Sequence, residues 1–150
     1  MADKYIFAAS TVTPGTVAHT ANDVVGGLLT FNVAGAGAAV SGGIINSISV
    51  VDTDAEGAAL SLYLFDGTVT SIAANAAFAP VAADLNKLVG KFDIAADAWG
   101  SVNGNKWVYK EDVNQVFNAD KLYGYLVCSA TPTFADTKTL TVRLGILTEG

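Results

Sequence analysis

The sequence predicts an all-β fold, an antiparallel β-sandwich of jelly-roll-like form with about eight strands. Three observations predict it. Apolar and polar residues alternate along several runs, most clearly over 139–147, where Leu140, Val142, Leu144 and Ile146 interleave with Thr139, Thr141, Arg143 and Gly145. Clusters of Gly, Asn, Asp and Thr interrupt these runs at short intervals. Helical composition is confined to one place, around residues 70–88, where Ala, Leu and Lys on either side of Pro80 predict a short helical insertion.

Taken in order, residues 1–15 read as an N-terminal arm. Tyr5, Ile6 and Phe7 are apolar, and AASTVTPG then breaks the strand pattern. An apolar tip of this kind tucks into its own core or docks on a neighbouring subunit. A single β-sandwich domain follows over 16–150. Its first strand candidates are 16–20 and 28–33, separated by the turn-rich ANDVVGG, and AGAGAAVSGG is a long loop. Residues 43–51 and 59–65 read as a β-hairpin. Two short strands, 89–94 and 106–110, flank a Gly- and Asn-rich connection that holds Trp99. Strands at 122–129 and 139–147, joined by ATPTFADTK, complete the chain, in which no internal repeat is visible.

The proposed hairpin tip, DTDAEG over 52–57, begins like an EF-hand calcium loop, with Asp52, Asp54 and Glu56 at alternate positions before Gly57. The match stops there. The twelfth position of such a loop is Tyr63 rather than a bidentate acid, and the flanks have strand rather than helix spacing. The three acids are therefore weak metal candidates, and the segment reads as a polar connection in which Gly57 supplies backbone freedom.

Composition narrows the function classes. At 150 residues the chain is long enough for one domain with a real core. Hydrophobic residues make up 51%, yet no apolar run approaches the ~18 residues of a membrane span, so no membrane partner is expected. The N-terminus lacks a secretory signal pattern. Charged residues are 15%, against about 25% in typical globular domains. Such a lightly charged exterior suits a protein packed against copies of itself or a partner. The net charge of −6 and eight scattered Lys and Arg argue against nucleic acid.

Catalytic patterns are nearly missing, and no enzyme activity, catalytic residue or cofactor is expected. His19 is the only histidine; near Asp23 it has the makings of a general base, but without a nucleophile nearby it reads as a surface or interface residue. No phosphate loop, nucleophile elbow or dinucleotide fingerprint occurs. Asp93 with Asp97 and Glu111 with Asp112 are sequence neighbours that read as solvated turns rather than a glycosidase pair. Cys128, the single cysteine, shares its strand face with Leu122, Gly124 and Leu126 and reads as a core residue. Trp99, Trp107 and Tyr109 read as core or subunit-contact anchors, or as rings that stack on sugars. Tyr5, Ile6, Phe7, Trp99 and Trp107 are the candidate partner contacts.

Four segments in order, VAHTANDVVG, GIINSISVVDTD, LSLYLFDGTVTSIAANAAF and LYGYLVCSATPTFADTKTLTVRLGIL, span residues 17–147. Through them the chain resembles small virion structural proteins of tailed bacteriophages, of the capsid-decoration or head-stabilising type. It departs from them at Ala74, where those relatives tend to carry an acid, which weakens the case for a ligand at that position. The resemblance implies a β-sandwich, commonly a homotrimer, that is made in the host bacterial cytoplasm and sits on the capsid exterior. Its partners would be the major capsid protein and copies of itself, and its work would be to bridge capsid subunits. Two alternatives stay open: a carbohydrate-binding β-sandwich module, which requires an exposed Trp99 or Trp107, and a tail, neck or fibre component of the same fold.

Overall fold

The computed structural model describes residues 3–39, 41–135 and 137–149. Within them the first half of the chain pairs, in reverse order, with the second. β1 (Asp3–Val12) pairs with β10 (Leu140–Glu149), and β2 (Val24–Asn32) with β9 (Lys121–Cys128). β3 (Gly43–Asp52) pairs with both β7 (Asn105–Lys110) and β8 (Gln115–Phe117), and β4 (Leu60–Phe65) with β5 (Leu88–Ile94). All pairs are antiparallel. The resulting long ribbon rolls into two sheets because β10 also pairs with β3, and β9 with β4. One sheet runs β1-β10-β3-β7-β6, with β6 (Gly100–Val102) at its edge and β8 beside β3; the other runs β2-β9-β4-β5. This is the strand order of a jelly roll, so the expected all-β sandwich is the observed fold, with ten strands among the described residues instead of about eight.

The alternation that predicted strands also builds the core. Ile6 and Ala8 of β1, Ile48 and Val50 of β3, and Leu140, Val142, Leu144 and Ile146 of β10 point inward from the six-stranded sheet. They meet Leu29, Phe31, Leu60, Leu62, Leu64, Leu122 and Leu126 from the four-stranded sheet. Three irregularities bend the strands, one of them in β5, where Val89 is an extra residue opposite Leu64 and Phe65. Asn46 is an extra residue opposite Gly145 and Ile146, and β2 bulges between Val25 and Leu29. Gly26 lies in that bulge at φ +76°, where a side chain would strike Val12.

The structure corrects three expectations. The arm over 1–15 is instead an edge strand: residues 3–12 pair with β10 one for one, and Ile6, Ala8 and Val12 are buried. Met1 and Ala2 lie outside the described residues. The pattern looked broken because alanine serves equally inside, as at Ala8, and outside, as at Ala9. The hairpin over 43–65 is not one, since β3 and β4 belong to opposite sheets and 53–59 crosses between them. Residues 16–20 form bends, not a strand.

The short helical insertion is present as expected, with its helix at α1 (Ala82–Leu85), and the segment forms a cover. Val69, Ile72 and Phe78 pack on Val24, Phe65, Tyr125 and Val127, closing the outer face of the four-stranded sheet. The Ile72 amide donates to the Tyr125 hydroxyl at 3.0 Å, and the Phe78 amide to the Asn22 carbonyl at 2.8 Å. Buried Asp84 fastens the far end, accepting from the Thr70 amide at 2.8 Å and pairing with Lys87 at 3.5 Å.

Candidate interaction surface

Because side chains alternate across a sheet, every inward residue of the six-stranded sheet implies an outward neighbour. In β1 these are Tyr5 and Phe7; in β10, Arg143 and Leu147; in β7, Trp107 and Tyr109. The register assembles them into one surface. Tyr5 lies opposite Leu147, Arg143 opposite Ser49, Ser49 opposite Tyr109, and Val51 opposite Trp107. Among the described residues no segment covers this face as the insertion covers the other sheet, and Tyr5, Phe7, Val102, Trp107, Tyr109 and Leu147 are all exposed.

Each ring is held by a specific neighbour. Gly145 has no side chain, so Tyr5 lies across it and its hydroxyl shares a hydrogen bond with Ser47 Oγ at 3.0 Å. The Arg143 guanidinium sits 3.6 Å from the Phe7 ring centroid, a cation–π contact, and Phe7 meets Tyr5 edge-on at 5.1 Å. Trp107 and Tyr109, two residues apart on β7, have ring planes only 11° apart with centroids separated by 5.9 Å. Beside Trp107 is a shallow hollow of about 330 Å³ lined by Val51, Val102 and Asn105. Asp3 and Glu149 mark one end of the face, and Arg143 carries the charge at its middle.

Of the five expected contacts, Tyr5, Phe7 and Trp107 come together here. Ile6 and Trp99 do not. Ile6 faces the core, and Trp99 is 9% exposed against 43% for Trp107, its indole N–H donating to the Ala58 carbonyl at 2.9 Å. Arg143, Val51, Val102 and Leu147 were missed, as was the place of Tyr109 beside Trp107. The signal for the last two lay in W-V-Y at 107–109, where a valine between aromatics at strand spacing puts both rings on one side.

Of the metal candidates, Glu56 is exposed, and Asp52 and Asp54 are spent on structure. Asp52 is buried, and its carboxylate accepts from the amides of Asp54 at 2.9 Å and Gly57 at 3.0 Å. Asp54 accepts from the Ala135 amide at 3.1 Å. These carboxylates tie the crossing segment together, helped by the left-handed backbone at Ala55 and Gly57. Among the described residues no three His, Cys, Asp or Glu side chains converge as a metal site.

His19 is buried and not at the surface as expected. Its amide donates to the Pro132 carbonyl at 2.9 Å and its ring packs edge-on against Phe134. Asp23 does not orient it, because that carboxylate accepts from the Thr20 amide and hydroxyl at 2.8 and 3.0 Å. Asp93 lies on β5 and not in a turn; the Ser61 hydroxyl, and then Lys91, hold its carboxyl below the usual range. Cys128 is in the core as expected, and burial pushes its thiol up, away from the reactive thiolate.

No protein family and no curated protein sequence matches this chain. Among solved structures, similarity is found to the K1 cleaved adhesin domain of Lys-gingipain from Porphyromonas gingivalis W83. It covers 100% of this chain and 99% of that one, at 12% identity and a TM-score of 0.41. The K3 cleaved adhesin domain of the same protein is similar over 82% of this chain, at 14% identity and a TM-score of 0.39, and the match spans 63% of that domain. Desmodium yellow mottle tymovirus is similar over 99% of this chain and 83% of its own, at 16% identity and a TM-score of 0.28. Likenesses this distant bring no function with them, and the fold rests on the strand pairing of the chain itself.

Proposed function

We propose that this chain is a structural protein of a tailed-bacteriophage particle, of the capsid-decoration type. It binds the major capsid protein on the outside of the head and bridges neighbouring capsid subunits through the outer face of its six-stranded sheet. The observation that carries this reading is that uncovered aromatic face. Large rings beside Arg143, with the acids Asp3 and Glu149 only at one end, match the middle of a protein contact, where aromatics and Arg are enriched and acids and lysines depleted. A strong contact per copy is not required, because capsid symmetry repeats it many times. Quantitative mass spectrometry of purified particles tests the reading. A near-stoichiometric ratio to the major capsid protein is expected; a few copies per particle would move the chain to the neck, tail or fibres, and absence would reject a virion role.

One feature favours a second reading. Trp107 and Tyr109 form a nearly parallel, exposed aromatic pair, and exposed rings of this kind can stack on sugars. A carbohydrate-binding module would show quenched or shifted Trp107 fluorescence on titration with oligosaccharides. An unchanged spectrum across neutral and acidic glycans would remove that alternative.

A further inference from the structure

Among the described residues of the six-stranded sheet, Arg143 is the one cation that points outward. Lys4, Lys106 and Lys110 occupy the alternate positions of β1 and β7 and point to the other side. Lys4 donates to the Gly37 carbonyl at 3.0 Å, and Lys106 to Ser101 Oγ at 2.9 Å. Arg143 has no such outlet: among the described residues it enters no ion pair and no hydrogen bond. Asp3 and Glu149, the acids of this face, stand opposite each other six residues further along β10, roughly 20 Å away. What holds the guanidinium is the Phe7 ring at 3.6 Å, a contact that fixes its position and leaves its N–H donors unspent. Ala9 and Ser49, its neighbours across the strands, are small, and Arg143 is exposed.

We propose that Arg143 is the receptor for a carboxylate, the side chain of an aspartate or glutamate on the outward surface of the major capsid protein. This inference rests on the reading of the bare face as the capsid contact and names what the other side of that contact must present. A contact that covers Tyr5, Phe7, Trp107 and Tyr109 also takes the guanidinium among them out of water. A charge desolvated in this way is costly unless an anion meets it. The planar fork of N–H donors suits a carboxylate, which it can bind through two parallel hydrogen bonds. The rest of the face sets the orientation. Asp3 and Glu149 repel an acid at their end, in a chain whose net charge is already −6, so the partner's carboxylate is admitted at Arg143 alone.

Binding of the full chain to purified undecorated heads tests it, with Arg143→Gln and Arg143→Lys beside the wild type. Circular dichroism and a cooperative urea transition first establish that each variant is folded. The wild type should bind. Arg143→Gln should bind roughly 30-fold or more weakly, because the capsid carboxylate is left unpaired. Arg143→Lys keeps the charge without the fork and should fall between the two. Carbodiimide then reads the chemistry of the partner: on heads carrying the Arg143→Lys variant it should couple the introduced amine to an aspartate or glutamate of the major capsid protein, located by mass spectrometry. Equal binding of wild type and Arg143→Gln would overturn this inference and leave the capsid reading standing. Heads that bind neither would overturn both. Coupling of the introduced amine to a copy of this chain or to an acidic sugar, or no coupling at that position, would also overturn it.

Discussion

At Gly145 and Leu144, adjacent residues of β10 face opposite environments, and substitutions there should fail for different reasons. Leu144 is fully buried among aliphatic side chains. Leu144→Asp places a carboxylate where nothing donates to it, a cost of several kcal/mol against a typical total stability of about 5–15 kcal/mol. Urea titration should find no cooperative transition. Gly145→Val acts on the other side. Its Cβ would fall on the Tyr5 hydroxyl and Ser47 Oγ, so Tyr5 must swing away and lose its hydrogen bond. We expect a loss of about 1–3 kcal/mol, seen as a lower urea midpoint at unchanged slope. A variant as stable as the wild type would show that Tyr5 does not rest on Gly145.

The elements divide into those the sequence made legible and those that depend on partners elsewhere in the chain. Strand β10 is readable because aliphatic residues alternate with polar or small ones from Leu140 to Ile146. β1 is not, since Ala8, Ala9 and Ser10 carry too little contrast to show which side is buried. Deletion of residues 1–12 should therefore abolish folding instead of freeing an arm, because it strips Ile6, Ala8 and Val12 from the core and bares β10. A cooperative melt of the truncated chain would contradict this.

The insertion is a separable element with its own small cluster. Phe78→Ala should cost about 3 kcal/mol locally, with hydrogen exchange faster at Val24 and Asn75 while β3 and β10 stay protected. The cover should also loosen in acid. The Thr70 amide, with smaller help from the Thr70 hydroxyl and Lys87, outweighs desolvation and holds the Asp84 carboxyl below the usual range. A lowered folded value means that this stabilisation is fully present above the ordinary carboxylate pKa of ~3.9 and is lost as pH falls through the lowered one. Asp84→Asn should flatten that acid dependence and weaken the cover at neutral pH, as read by exchange at Thr70.

At the scale of the whole molecule, strands are local and their partners are not. DTDAEG joins runs that look like a hairpin, yet β3 takes β10 and β7 as neighbours while β4 takes β9 and β5, and no pattern within a single run encodes that choice. The same holds for the tryptophans. Trp99 and Trp107 sit in similar Gly- and Asn-rich surroundings, but only tertiary pairing turns one inward onto the Ala58 carbonyl and the other outward beside Tyr109. This asymmetry, one sheet covered and the other bare, gives the whole molecule an optical marker. In the isolated chain acrylamide should quench one emitting population readily and the other poorly, and Trp107→Phe should leave only the shielded one. If the bare face is the capsid contact, adding the chain to undecorated heads should protect the Trp107 population and leave that of Trp99 unchanged. Bound chain whose Trp107 remains freely quenchable would place the contact elsewhere on the molecule, whatever the copy number.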